Sequence, residues 1–430
     1  MSFKNYLKNN FYILDDVIFL LEKSEKDSKT IFENIDKIVE YNQYKVLYSF
    51  QQNKLSDIHF NGTTGYGYGD IGRNEIEKIY SDIFKAEDAL VRPQIVSGTH
   101  AISLCLFSNL KPNDQLISAC GHPYDTLEEI IGLKGEQGRG SLKDYGVSYK
   151  EIPLINNGEI DIKSVISSIN SKTKMIMIQR SKGYDYRNSL SIDDIEKAII
   201  KIKEVKKDII VFVDNCYGEF TEIKEPIEVG ADIVAGSLIK NIGGGIAPTG
   251  GYVVGKKNLV ENAAYRLYAP GIGKEVGPSL DTNRLILQGL FFAPKIVGEA
   301  LKGAVLLSRI MELLGYDVIP KYDDRRTDIV QAVRFNTEEE LISFIQGIQK
   351  GSPVDSHVDP EPWDMPGYDD KVIMAAGGFI QGSSIELSAD APIRKPYTAY
   401  VQGGLTYYQV KLGIAIAVNN LYKKGFLKLK

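Results

Sequence analysis

A lysine and an aspartate stand twenty-six positions apart (240 minus 214), each just beyond a short apolar run. The first run, Ile209-Ile210-Val211-Phe212-Val213, is too short for a helix and reads as a buried strand ending at Asp214. The second, Asp232-Ile233-Val234-Ala235-Gly236, leads to Ser237 and then to Lys240. Strands of an open α/β sheet deliver their last residues to the carboxyl edge, where ligands bind. A carboxylate and a primary amine presented there together suit pyridoxal 5′-phosphate (PLP). Its aldehyde condenses with an amine, and its ring nitrogen needs an anionic partner. Each residue also has an ordinary explanation, a solvated loop lysine and an aspartate forming a turn. The surroundings favour chemistry, because no further charge occurs from 241 to 255.

Other residues fit the same site. Ser97-Gly98-Thr99-His100 precedes an apolar helix spanning Ala101 to Leu110, and small residues at a helix start leave amides free for a phosphate. An N-cap by Ser97 or Thr99 is the plainer reading of those residues. Tyr124, after the strand of Gln115 to Ala119, offers an aromatic face for a flat ring. Ser237 offers a hydroxyl for the phosphate, and Cys216 a small side chain for packing beneath the ring. An α-amino acid substrate needs a guanidinium for its carboxylate. Arg394, between prolines in a small-residue loop, is the first choice, with Arg180 and Lys182 as competitors.

Residues 65–73, Gly-Tyr-Gly-Tyr-Gly-Asp-Ile-Gly-Arg, contain a formal G-x-G-x-x-G. No strand precedes it and Asp88 begins a strand instead of ending one, so a dinucleotide site is rejected. A glycine-rich arm carrying Tyr68 and Arg73 toward a phosphate across a dimer interface is the alternative to a plain surface loop.

Seven apolar runs alternate with amphipathic segments between 73 and 255, which predicts a mostly parallel sheet with helices between strands. Besides those above, the strands fall at Ala89–Val91, Val147–Ile152, Lys174–Ile178 and Tyr252–Val254. A helix over Ile192–Val205 carries Ser191 as N-cap and Asp194 in capping-box register. Helices also fill the first 55 residues or so and the region near 281–315. Beyond it, strands at Val330–Phe335 and Val372–Met374 alternate with a helix at Glu338–Gln349. The expected division is a helical N-terminal arm (1–60), a large cofactor-binding domain (61–300) and a smaller C-terminal α+β domain (301–430).

With 430 residues, 25% charged and a net charge of −5, the chain is globular in composition and shows no basic surface for nucleic acid or anionic membrane. Three cysteines and four histidines show no metal-ligand spacing and no disulfide framework, so no metal is expected. No stretch reaches 18 apolar residues and the N-terminus lacks a signal-like core, so a cytoplasmic location is expected.

The segments at 65–73, 91–101, 213–220, 236–241, 352–358 and 402–407 resemble the methionine γ-lyase-like branch, often labelled aluminium resistance proteins, of the fold-type I PLP enzymes. The resemblance implies the PLP-dependent transferase-like fold and a cofactor held on Lys240 as an internal aldimine. It implies Asp214 on the ring nitrogen, Tyr124 on the ring, and phosphate contacts from Gly98, Thr99 and Ser237. It also implies Tyr68 and Arg73 from a neighbouring subunit of a homodimer or homotetramer. Two features depart from the better-known lyases. Ile239 stands where they carry a hydroxyl before the lysine, and their substrate arginine lies beyond the loop of Arg394.

The expected reaction is elimination of a thiol from Cβ or Cγ of a sulfur-containing amino acid, with Lys240 as base and Tyr124 as acid. The loop bearing His357 and Trp363 is a candidate lid. Two other readings remain, an aminotransferase and a PLP-holding stress or metal-tolerance protein. No acidic cluster supports aluminium binding, and Asp323-Asp324-Arg325-Arg326 reads as a self-neutralising surface patch.

Overall fold

The computed structural model describes residues 3–156, 158–365 and 368–427. Three helices open the chain: α1 (Phe3–Phe11), α2 (Asp15–Asp27) and α3 (Lys29–Gln52). Next come α4 (Ile71–Phe84), β1 (Asp88–Arg92), α5 (Gly98–Asn109), β2 (Gln115–Ser118), α6 (Asp125–Ile131) and β3 (Ser148–Glu151). The alternation continues through α7 (Ile162–Ser168), β4 (Thr173–Gln179), α8 (Ile192–Val205), β5 (Ile210–Asp214), β6 (Ile233–Ser237), β7 (Gly251–Gly255) and α9 (Lys257–Leu267). The long α10 (Asn283–Leu313) leads to β8 (Asp317–Ile319), β9 (Gln331–Arg334) and α11 (Glu338–Lys350). The chain ends with β10 (Val372–Ala375), β11 (Ser388–Pro392), β12 (Thr398–Gln402) and α12 (Tyr407–Lys423).

Two compact units result: residues 41–294, and the described residues of 1–40 together with 295–430. In the first unit seven strands form one sheet in the order β1-β7-β6-β5-β4-β2-β3. β7 runs antiparallel to both β1 and β6, and the other pairs are parallel. Every residue of β5, β6 and β7 is buried, as strands covered on both faces must be, which is why they read as continuous apolar runs. Leu90, Leu116, Met175, Phe212, Ile233 and Val253 from successive strands share one core. α8 forms over the predicted span: the Ser191 hydroxyl accepts from Asp194 N at 3.1 Å, and the Asp194 carboxylate accepts from Ser191 N at 3.1 Å. Its Ile195, Ile199 and Ile202 are buried.

The second unit is built on an antiparallel sheet ordered β10-β11-β12-β9-β8. Phe344 and Ile348 of α11 and Val410 and Ile414 of α12 fill its core. α1, α2 and the first half of α3 belong to this unit, and Val17, Ile18 and Leu21 of α2 enter the same core. Arg326 corrects the surface-patch expectation. It is 8% exposed, and its Nη2 donates to Gln331 Oε1 at 2.7 Å. The chain turns inward there to enter β9 and carries the guanidinium with it.

Candidate functional site

Asp214 is the last residue of β5, paired with Gln179 of β4 and Ala235 of β6. Its carboxylate is buried, and Oδ1 accepts from Cys216 N at 3.1 Å. Burial pushes this carboxyl above the usual aspartate range, against the opposing pull of Lys240 and the Cys216 amide. The chain then turns back, with Asn215 N donating to Ala235 O at 3.1 Å. Tyr217 takes a left-handed backbone, φ 73°, rare for a residue with a bulky side chain. That turn lays its ring under the lysine: Lys240 Nζ is 3.9 Å from the ring centroid. Burial works against the Lys240 ammonium, yet the neighbouring Cys216, Tyr217, Asp214 and Glu219 hold it above the ordinary lysine range. The amine and the buried acid thus meet at the carboxyl edge of β5 and β6.

The start of α5 closes onto the same place. A Cβ on Gly98 would lie 3.0 Å from Cys216 Sγ and 3.5 Å from Ser237 Cβ, so the missing side chain is what permits the approach. Ser97 caps the helix by accepting from His100 N at 3.0 Å. Gly98 and Thr99 occupy the first turn, where a helix has no acceptors of its own for N–H groups. Ser237 is buried, and its hydroxyl accepts from Ile239 N at 3.3 Å. Gly98, Cys216 and Ser237 are therefore brought together. The Thr99 hydroxyl meets that of Thr126 at 3.0 Å, which ties α5 to the start of α6 beside Tyr124. Tyr124 is half-buried, its ring 5.8 Å from that of Tyr184. Amides at a helix start, a hydroxyl, a lysine amine and a buried carboxyl make the donor set that a phosphorylated pyridine aldehyde requires.

The glycine-rich segment is organised around Asp70, 1% exposed. It accepts from Thr63 Oγ1 and Ser279 Oγ, each at 2.5 Å, from Arg73 N at 2.8 Å and from Asn283 Nδ2 at 3.1 Å. Arg73 is buried too, with Nη1 donating to Gly67 O at 2.8 Å and Gly277 O at 3.0 Å. Its Nε and Nη2 donate to Asn74 Oδ1 at 3.2 Å, so Arg73 braces the loop. Gly67 has φ 68°, and a Cβ there would strike the Pro278 backbone at 2.6 Å. Tyr68 is 65% exposed, and Arg73 lines an open polar cleft of about 890 Å³ with Glu77, Asp88 and Lys274.

The candidate substrate arginines differ sharply. Arg180 is fully buried, with Nη2 2.7 Å from Glu222 Oε2 and Nη1 donating to Asn215 Oδ1 at 2.8 Å and Gly218 O at 2.9 Å. It holds the turn that follows Asp214. Lys182 is buried as well. Arg394, in the second unit, is half-exposed and donates from Nη1 to Asp370 Oδ2 at 3.0 Å. His357 is exposed, and Trp363 is pinned to β10 by reciprocal backbone bonds with Val372 at 3.1 and 3.0 Å.

Tyr217 and Glu219 escaped the sequence reading. Tyr217 lies three residues beyond Asp214 in a tight turn, where an aromatic has to pack on something nearby. Glu219, between Gly218 and Phe220, looks like a solvated acid but is 0% exposed. Burial pushes its carboxyl up to about 8, although Tyr252 donates to Oε1 at 2.8 Å.

A family model described as methionine gamma-lyase matches residues 17–422. The uncharacterised protein YnbB of Bacillus subtilis (strain 168) is 54% identical over 403 residues, 94% of this chain and 96% of that protein. A solved structure from Clostridium acetobutylicum, named as a candidate cystathionine beta-lyase involved in aluminium resistance, superposes with a TM-score of 0.95. It is 54% identical, and the match covers 97% of this chain and 98% of that one. A carbon-sulfur lyase involved in aluminium resistance from Clostridium novyi NT gives a TM-score of 0.94 at 51% identity, over 98% of this chain and 100% of the other. The α/β fold is that of the fold-type I PLP enzymes, and the chain belongs to the methionine gamma-lyase family.

Proposed function

We propose that this protein is a PLP-dependent carbon–sulfur lyase acting on a sulfur-containing amino acid by α-proton abstraction and β- or γ-elimination. One observation carries the reading. The Lys240 amine lies over Tyr217 beside the buried carboxyl of Asp214, at the strand edge onto which the start of α5 closes.

The residues fit the cofactor. Lys240 would hold its aldehyde, Asp214 its ring nitrogen, and Tyr124 would stack on its ring. Gly98, Thr99 and Ser237 would hold the phosphate, with Cys216 packed beneath. When bound, PLP supplies an electron sink that stabilises negative charge at the substrate Cα.

The chain's own residues do the rest. The Lys240 amine would take the proton from the substrate Cα, because its short tether keeps the nitrogen there. The buried Asp214 holds a proton at the ring nitrogen. Tyr124 gives a proton to the departing sulfur. One water is consumed overall, and a thiol, a 2-oxo acid and ammonium are released.

Arg394 is proposed to pair with the substrate carboxylate by exchanging its exposed partner Asp370. Arg180 is less suited, since it is fully buried and both its Nη groups are spent on the Asp214 turn. Tyr68 and Arg73 are proposed to serve a neighbouring subunit of a homodimer or homotetramer. Exposure of Tyr68 supports this, while Arg73, bonded to Gly67, Gly277 and Asn74, would serve by bracing the loop that carries Tyr68. A cytoplasmic location belongs to the same proposal.

The test is incubation of PLP-loaded protein with cystathionine, methionine, cysteine and homocysteine, scoring thiol, ammonia and each 2-oxo acid. Stoichiometric ammonia and 2-oxo acid are expected from at least one of them. Amino-group exchange with an added 2-oxo acid and no ammonia would make it an aminotransferase instead. Retained cofactor with no turnover would leave a PLP-binding protein.

A further inference from the structure

Behind the Lys240 site lies a second buried acid that the proposed chemistry leaves unused. Glu219 is 0% exposed. Its Oε1 accepts from the Tyr252 hydroxyl at 2.8 Å, while Oε2 has no hydrogen-bond partner among the described residues. Tyr252 sits opposite Gly236 in the pairing of β7 with β6, one residue before Ser237. A Cβ on Gly236 would lie 2.7 Å from both Glu219 Oε1 and Tyr252 Oη, so this glycine makes the slot for the pair. A side chain ties the two turns together: Asn241, next to Lys240, donates from Nδ2 to Tyr217 O at 2.9 Å and to Glu219 O at 3.0 Å. The turn that puts Tyr217 under Nζ therefore also carries Glu219.

A buried carboxyl with one oxygen unserved costs free energy unless it stays protonated. Glutamine would fill the same space without an ionisable group. We infer that Glu219 is a positioning residue that acts through Lys240. It stands behind the lysine as an uncharged acid, and its ionisation strengthens the hold of the Lys240 nitrogen on a proton. This rests on Lys240 being the cofactor-bearing amine.

The surrounding groups bear the inference out in sign. Burial, with Glu225 adding to it, raises the Glu219 carboxyl to about 8 against the opposing pull of its own backbone amide, the Tyr252 hydroxyl and Lys240. Glu219, once ionised, is in turn one of the groups that raise Lys240, after Cys216, Tyr217 and Asp214. From α4, Tyr80 also faces this acid and is raised by burial and by Glu219; its hydroxyl has no hydrogen-bond partner among the described residues. Glu225 is screened by Arg180, Nη1 of which lies 3.8 Å away. Glu219 is thus an acid near Lys240 whose charge can change at a pH of about 8.

The test uses PLP-loaded wild-type protein, Glu219→Gln and Tyr252→Phe. First, borohydride reduction and peptide mapping locate the cofactor on the wild type. Then the pH at which the visible absorbance changes is measured for each, since that change follows the proton at the Lys240 nitrogen. Glu219→Gln is expected to keep the cofactor and to move the midpoint to lower pH by about half a unit or more, roughly threefold weaker proton binding. Tyr252→Phe should move it the same way by withdrawing a donor from the anion, and should add nothing in the Glu219→Gln background. If Glu219→Gln folds poorly, the Tyr252→Phe shift decides. A borohydride tag on Lys240 with unmoved midpoints overturns the role of Glu219 alone. No tag on Lys240 overturns the cofactor site and this inference with it.

Discussion

Lys240 Nζ rests 3.9 Å from the centre of the Tyr217 ring, in range of the attraction between an ammonium and an aromatic face. The contact exists because Tyr217 adopts a left-handed backbone three residues after Asp214, so one short turn places both the acid and the aromatic floor. Replacing Lys240 by alanine removes the nitrogen that all the rest surrounds. Visible absorbance from bound cofactor should vanish, and turnover should fall by about 10²-fold or more. Wild-type absorbance and turnover in that variant would end the reading.

Asp214→Asn keeps the size of the side chain but not its charge. The cofactor should still attach at Lys240, because the amine is untouched. Turnover should drop by about 10²-fold or more, the scale of a lost proton-handling group. Parallel assays of borohydride incorporation and product release check this, and unchanged turnover would remove Asp214 from its role.

Arg394→Ala should raise KM for an amino acid by about 10- to 100-fold, the equivalent of one charge-assisted hydrogen bond, and leave the cofactor spectrum alone. A KM equal to that of the wild type would send the search for the carboxylate partner elsewhere in the second unit.

Arg180→Met should act on the fold instead. It strips the partner from Glu222, whose Oε2 also accepts from Ile192 N at 3.0 Å, and from the buried Glu225. Breaking one side of a buried ion pair costs about 3–5 kcal/mol. A clearly lowered melting temperature is expected; an unchanged one would mean that these acids find other partners.

Glu219 also ties stability to pH, with a definite sign. Its folded-state value is about 8 against an ordinary 4.5, so the folded chain holds this proton longer than the unfolded chain does. The contribution is complete below 4.5 and is lost as pH rises through about 8. Glu219→Gln should flatten the decline in melting temperature across that window. Parallel curves for the two proteins would contradict the burial of an ionisable group there.

Much of the first unit was legible because its strands are covered on both faces and its helices carry caps. α8 begins and ends where Ser191 and the isoleucine stripe place it, and the seven runs between 73 and 255 became the seven strands. The second sheet was harder. β8 has three residues, and β11 reads Ser-Ala-Asp-Ala-Pro, with little intrinsic preference for an extended chain, so its pairing with β10 and β12 makes it a strand. In the site, Lys240 and Asp214 showed through because they end apolar runs. Tyr217 and Glu219 did not, since a left-handed turn and a burial imposed by Tyr252 both depend on distant partners. Arg180 looked available after β4, yet its partners lie 35 to 42 residues further along.

The brace that Arg180 makes from Asn215 to Glu222 sets a fixed ruler along that stretch. Lengthening or shortening it by one residue would move carbonyls and carboxylates out of step with a guanidinium that cannot follow. A library of insertions and deletions should therefore come back empty across this octet. Open turns such as the one at Gly138, where nothing among the described residues stands within 4 Å of an added Cβ, should accept them.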